Sequence, residues 1–122
     1  MPVNERIADA LTTDRVIDIT TTGRRSGRTV RKEMWFHNLD GNLYLTGTPG
    51  KRDWYANLVE NPDFIFHLKV SAAADLPAHA TPITDVAERK AILGRILANI
   101  NRPPEELERW VADSPLVAVQ LA

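Results

Sequence analysis

Cysteine is absent from this 122-residue chain. Its absence excludes disulfides, thiolate metal ligands and a cysteine nucleophile, and it accords with a reducing, cytoplasmic compartment. Long apolar runs are missing too. Nothing approaches the roughly 20 residues a helix needs to cross a bilayer, and the N-terminal MPVNERIADALTTDR lacks the apolar core of about 7 to 15 residues that a signal peptide carries. The sequence shows no internal repeat, no low-complexity tract and no excess of positive charge: fifteen Lys and Arg against sixteen Asp and Glu leave a formal net charge of −1. A nucleic-acid-binding domain of this size is usually basic throughout, so nucleic acid is not an expected partner. The length suits one domain, 1–122, large enough to bury a core and too short for two.

What is present reads as a mixture of strands and helices. Asn4 to Leu11 carries Ile7, Ala8 and Leu11 at helical spacing, with Asn4 as a cap. Arg15 to Thr22 is rich in β-branched residues that pack well on a pleated surface, so it is expected to be a strand. From Arg28 to Leu39 two faces alternate, Val30, Lys32, Met34 and Phe36 against Arg31, Glu33, Trp35 and His37. Asp40-Gly41 is a strong hairpin signal leading into a partner strand, Asn42 to Thr46. Lys51 to Glu60 places Trp54, Tyr55 and Leu58 on one helical face, and Asn61-Pro62 stops it. Two strands follow, Asp63 to Val70 and Asp75 to Thr81. Thr84 to Asn99 forms an amphipathic helix with the stripe Val86, Ile92, Leu93, Ile96, Leu97 and Ile100. Pro103 and Pro104 open another helix running to Ala112, and Leu116 to Leu121 closes the chain as a strand. Five or six strands without regular βαβ alternation predict an α+β fold, mainly antiparallel, built as a small barrel with flanking helices.

Charge is concentrated in one place. Arg24, Arg25, Arg28, Arg31 and Lys32 fall within nine residues around Gly23 and Gly27. Glycines allow positive φ and close backbone approach, so successive N–H groups can converge on an anion while guanidinium forks add charge-assisted contacts. A second basic pair, Lys51 and Arg52, follows TGTPG at an expected helix start, where unsatisfied N–H groups favour anions. The plainer alternative is a solvated turn whose arginines serve solubility. GRRSGR lacks the GxxxxGK[ST] spacing of a P-loop, and no GxGxxG opens a helix, so neither an ATPase nor a Rossmann dehydrogenase is indicated. His37, His67 and His79 fall on three separate strands with no close ligand pair, and no metal site is expected.

TTTGRRSGRTVRKEMWF, the Asp-Gly hairpin, LYLTGTPGKRDWYANLVENPDF and the terminal apolar strand together resemble the deazaflavin (coenzyme F420)-dependent nitroreductase and quinone reductase family. The specific part is the pairing of TGRRSG with WYANLVENP at this separation. The resemblance implies a split β-barrel of the flavin-reductase type, about six strands with flanking helices. It also implies an oxidoreductase that passes a hydride from reduced coenzyme F420 to a quinone-like, nitroaromatic or activated-alkene acceptor. An FMN-dependent reductase and a non-catalytic flavin carrier are the alternatives, and the protein would be a monomer or a homodimer.

Carried onto this chain, the resemblance gives Arg24, Arg25, Ser26 and Gly27 the coenzyme's phosphate and acidic tail, with Arg31 as helper and Lys51 and Arg52 contributing from the shorter loop. Thr48 corresponds to the small hydroxyl residue near the reactive ring. Trp35 corresponds to the strand aromatic lining the acceptor pocket, and Trp54 and Tyr55 to the helix pair, followed by Asn57 and Leu58. Trp54 also suits plain core packing. Glu33 is a departure from the family pattern: beside an acidic coenzyme it must face away or pair with an arginine. Asp53 is read as a cap or a partner for Arg52.

Overall fold

The structure, a computed structural model, describes residues 2–122, with side chains from residue 5 onward. The cap expected at Asn4 lies outside the described side chains. The elements run α1 (Pro2–Thr13), β1 (Val16–Thr22), β2 (Thr29–Trp35), β3 (His37–Leu39), β4 (Asn42–Thr46), α2 (Asp53–Glu60), β5 (Asp63–Leu68), β6 (Ala74–Pro82), α3 (Val86–Asn99), a 3₁₀ turn (Pro104–Glu106), α4 (Leu107–Asp113) and β7 (Leu116–Leu121). This is the expected α+β class, with one antiparallel sheet in the order β2-β1-β5-β6-β7-β4-β3.

The sheet has seven strands because the run expected to continue from Arg28 to Leu39 breaks at Phe36. Phe36 is buried and packs edge-on against Phe66, with ring centroids 5.2 Å apart. Its N–H donates to the Arg15 carbonyl at 2.9 Å, where the ladder with β1 ends. Before the break the strand pairs with β1, and after it His37 to Leu39 pairs with β4. The two outermost strands of the sheet are thus joined through one residue, which makes the sheet curl on itself. Asp40 (φ 55) and Gly41 (φ 91) form the hairpin with both central residues in the left-handed region, as an Asp-Gly pair permits.

Two apolar clusters result. Ile17 and Ile19 of β1, Leu45 of β4, Phe66 of β5 and Val117 of β7 fill the inside of the curl, each buried side chain contributing about 1.5–3 kcal/mol. The second cluster lies outside it, where Ile92, Leu93, Ile96 and Leu97 of α3 meet Trp110 of α4 and Leu116. β7 serves both: Val117 and Val119 face inward and Leu116 faces the helices, which is why LVAV is continuously apolar. Val86 departs from its expected place in the helix stripe. It stands in the first turn of α3, 67% exposed, and turns away from the second cluster. Asp85 caps this helix, its carboxylate accepting from the Glu88 N–H at 2.9 Å.

Candidate functional site

The β1–β2 turn, the loop after β4, the start of α2 and the α3–α4 layer enclose an open cleft of about 1610 Å³. Seven cationic side chains line it (Arg24, Arg25, Lys32, Lys51, Arg52, Arg89 and Arg109) against three anionic ones (Asp53, Glu108 and Asp113). A chain that is slightly acidic overall therefore presents an electropositive cleft, a field that concentrates anions. Val30, Val86, Val111, Trp54 and Pro115 give it apolar walls, and the exposure of Val30 (52%) has no other cover on the described residues.

The glycine turn is rigidly built. Gly23 N–H donates to the Arg28 carbonyl at 2.7 Å, Gly27 N–H to the Gly23 carbonyl at 3.0 Å, and Arg28 N–H to Ser26 Oγ at 3.1 Å. A Cβ on Gly23 would crowd Ser26 Oγ (2.9 Å) and the Arg28 carbonyl (3.2 Å), and Gly27 has φ +71, a conformation that favours glycine. The two arginines between them divide their work. Arg24 fastens the turn to α2: its backbone N–H and its Nη1 both donate to Oδ1 of buried Asn57, at 3.1 and 2.8 Å, and Nη2 reaches Asp53 at 3.4 Å. Asn61 Nδ2 donates to the Thr22 carbonyl at 3.3 Å, a second stitch between the same elements. The co-occurrence of TGRRSG with ANLVEN thus has a physical cause. Arg25 is exposed and makes no ion pair, and the N–H groups of Arg25 and Ser26 have no acceptor among the described residues. They are the turn's available donors.

The loop after β4 is wound around Arg52. Its Nη2 donates to the Thr48 carbonyl (2.9 Å) and to Thr48 Oγ1 (2.8 Å), and its Nη1 donates to the Lys51 carbonyl (3.1 Å). A Cβ on Gly50 would lie 3.0 Å from Nη1, and Gly50 N–H is tied to the Asp113 carbonyl at 3.0 Å. Arg52 is extended (φ −136, ψ 136) and sits outside α2, which begins at Asp53, two residues after the expected start. Thr48 is exposed on this loop beside the cleft; Pro49, Gly50 and Lys51 line the cleft itself. Trp54 is buried, meets Tyr55 edge-on at 6.2 Å, and with Tyr55 forms part of the cleft wall.

Arg24, Arg25, Ser26, Lys51, Arg52, Trp54 and Tyr55 are therefore gathered around one cleft. Arg31 and Trp35 are not. Pleating sends alternate residues of β2 to opposite faces, and the cleft takes Val30 and Lys32. Arg31 instead donates from Nε to Asp18 Oδ2 at 2.9 Å on the outer face. Trp35 stands on that face too, 48% exposed, with the Arg15 guanidinium 5.1 Å from its ring centroid. Glu33 shares this side and pairs with Lys69, which also bonds Asp18, so its carboxylate points away from the cleft. Hydrogen bonds from Lys69 and then Arg31 hold the Asp18 carboxyl below the usual carboxylate range. Asp53 pairs with Arg24, not Arg52, and does not cap α2.

Two of the three histidines have structural partners. His67 Nδ1 lies 2.7 Å from Asp75 and Nε2 2.6 Å from Thr20 Oγ1, and His79 pairs with Asp63 at 2.8 Å. Among the described residues no group of three His, Cys, Asp or Glu is arranged to hold a metal, and no helix is long and apolar enough to cross a membrane.

Arg89 was not anticipated from the sequence. Arg89 is buried and donates to four carbonyls, those of Ile83 (2.9 Å), Trp110 (3.3 Å), Val111 (2.8 Å) and Ser114 (2.6 Å), with no carboxylate partner among the described residues. A signal existed: Arg89 stands three and four residues before Ile92 and Leu93, a charge on the apolar stripe.

A family model described as F420H(2)-dependent quinone reductase matches residues 2–113. Among solved structures, a conserved hypothetical protein from Mycobacterium tuberculosis aligns with a TM-score of 0.73 at 16% identity, covering 96% of this chain and 79% of that one. An F420-H2 dependent reductase aligns with a TM-score of 0.63 at 18% identity, covering 88% and 95%. General Stress Protein 26 from Bacillus anthracis aligns with a TM-score of 0.68 at 17% identity, covering 99% and 90%. These likenesses are of fold, the curled half-barrel sheet with its helices. No curated protein sequence matches the chain significantly.

Proposed function

The chain belongs to the F420H(2)-dependent quinone reductase family, an oxidoreductase family that uses coenzyme F420, and from that premise we propose that its acceptor is a planar, oxygen-bearing molecule of the quinone type, reduced in the cleft beside the Gly23–Gly27 turn. The observation that carries this is the division of labour in that turn. Arg24 is consumed by Asn57 and Asp53, while Arg25 and two N–H groups stay available at the head of an electropositive cleft with apolar walls.

The residues present fit the coenzyme. Its acidic part would meet Arg25, Ser26 and the turn's N–H groups, with Lys51 and Lys32 adding charge, and its flat ring would lie along Val30, Trp54 and the loop bearing Thr48. Bound there, the reduced coenzyme supplies a hydride, and the hard chemistry is the cofactor's. The chain's own task is positional. Trp54, locked in the core, fixes the Tyr55 ring against the cleft, so Tyr55 can cover the acceptor and exclude water. Thr48 Oγ1 accepts from Arg52, which leaves its own hydrogen free to donate to the ring or to a developing anion. No residue is required to act as a strong base. Deazaflavin is favoured over FMN by the family match.

Titration with oxidised coenzyme F420 tests the reading. Arg25→Glu should weaken binding about 30-fold, equivalent to about 2 kcal/mol, while its unfolding midpoint stays within error of the parent. Equal affinity in the two proteins would return the turn to a solvated surface feature. Binding without turnover across quinone, nitroaromatic and enone acceptors would indicate a carrier.

A further inference from the structure

β2 is an edge strand with a bare outer side. Its one neighbour in the sheet is β1, and the ladder between them runs without a bulge from Val16 opposite Trp35 to Thr22 opposite Thr29. Proteins blunt such edges with short strands, prolines or bulges. The opposite edge, β3, follows that rule with three residues, whereas β2 has seven and contains no proline. Apart from Met34, every residue of β2 is exposed, Val30 and Trp35 included.

The ladder fixes where the free backbone groups point. Antiparallel partners alternate between pairs that exchange both N–H···O bonds and pairs that exchange none. Gly23 N–H bonds the Arg28 carbonyl at one end and Phe36 N–H bonds the Arg15 carbonyl at the other, so the bonded pairs between them are Ile17–Met34, Ile19–Lys32 and Thr21–Val30. Thr29, Arg31, Glu33 and Trp35 therefore turn their backbone groups outward, where no other strand of the sheet meets them.

The side chains along this edge are self-complementary. Two copies of β2 laid antiparallel must set outward residues opposite outward residues, which places the two-fold axis on a residue and not between two. An axis at Arg31 sets arginine against arginine, and one at Glu33 sets glutamate against glutamate. An axis at Lys32 sets Arg31 opposite Glu33 on both sides, Thr29 opposite Trp35, and Val30 opposite Met34. Opposite charges facing across strands are favourable and like charges are not. Arg31 meets Asp18 through Nε, and Glu33 meets Lys69 through Oε2, which leaves Nη1, Nη2 and Oε1 without a partner among the described residues.

We propose that β2 is the docking edge for a second copy of this chain, the two sheets joining across a two-fold axis at Lys32. The contact reaches the cleft. Val30 and Lys32 line it, so each cleft gains Met34 and Lys32 of the second copy at its rim. The facing lysines cost little, because flexible ammonium groups at an open rim are screened by water and salt. The proposal holds whatever the cleft binds.

The absence of cysteine makes the test direct. Partners in a pair that exchanges no hydrogen bonds have Cα atoms about 4.5 Å apart, within disulfide reach. Lys32→Cys should therefore link to its own counterpart under mild oxidation at low micromolar protein. Arg31→Cys, whose counterpart stands out of register, should link at least about tenfold more slowly. In sedimentation velocity the parent should pass from monomer to dimer between about 1 and 100 μM. Arg31→Glu and Glu33→Arg should each stay monomeric, and an equimolar mixture should recover the dimer, since one brings only acidic and the other only basic side chains to these two positions. A parent that is monomeric throughout, equal linking of the two cysteine variants, or a mixture that stays monomeric while both charge variants keep the parent's thermal midpoint would overturn the proposal. If a charge variant fails to fold, the parent's sedimentation and the cysteine pair decide.

Discussion

Replacing Asn57 by alanine should destabilise the protein far more than its surface-helix context suggests. Asn57 Oδ1 is the sole acceptor given to the Arg24 backbone N–H and the closest one to the Arg24 guanidinium. Orphaning a part-buried N–H costs about 1–3 kcal/mol, and a charge-assisted bond is worth about 1.5–3 kcal/mol. The guanidinium is 27% exposed and recovers part of its loss from water, so the expected cost of Asn57→Ala is about 3 kcal/mol. At about 2.1 cal/mol/K of unfolding entropy per residue, each kcal/mol lowers the midpoint of a chain this long by about 4 °C, giving a fall of about 12 °C. Arg24→Ala leaves the acceptor with one donor and should cost about 1.5 kcal/mol. The double variant should fall short of the sum by about 1 kcal/mol, because the two residues share one bond. Asp53→Ala should change stability by less than about 0.5 kcal/mol, since that carboxylate is 93% exposed. Urea and thermal unfolding of the parent and the four variants settles the matter: an Asn57→Ala variant within 1 kcal/mol of the parent, or an Asp53→Ala variant as damaged as it, would refute the assignment of Arg24 to fastening the turn.

Two further outcomes follow from the same geometry. Arg89→Met keeps the length of the buried side chain but abandons four carbonyls, and it should cost about 3–5 kcal/mol in urea unfolding; a loss under 1 kcal/mol would show that water replaces the guanidinium there. Burial, followed by the nearby positive charge of Arg15, pushes the His37 imidazole down to about 4. The unfolded chain, with an ordinary histidine near 6.5, binds the proton first as pH falls, so His37 contributes stability above that value and loses it progressively between 6.5 and 4. The maximum loss is about 3 kcal/mol, and His37→Gln should flatten the urea midpoint over this window; superimposable profiles of parent and variant would exclude the effect.

Local order was legible because it is written in short spacings. The Asp-Gly hairpin, the β-branched β1, the helix stripe of α3 and the final apolar strand each depend on neighbours within a turn or a pleat. The basic glycine turn was equally visible, as was the two-residue alternation that separates Lys32 from Arg31. Which of the two faces meets the cleft was not written in that alternation: the Arg31 and Trp35 face was expected there, and the structure instead places Arg31 on Asp18. Trp35 followed the same face outward. The break at Phe36 was not legible, since alternation runs through it unchanged; it arises from Phe66 and Arg15, partners brought in by other strands.

By itself, then, the sequence determined the class of fold, the register of its turns and the presence of concentrated positive charge around two glycines, because these follow from propensities and periodicities of adjacent residues. Only the tertiary structure decided what each charge does. Arg24 and Arg25 are neighbours of identical chemistry, yet one is satisfied by Asn57 from α2 and the other faces the cleft. Arg89 is an interior clamp for the same reason: hydrogen bonds to groups distant along the chain exist only once packing has fixed both ends.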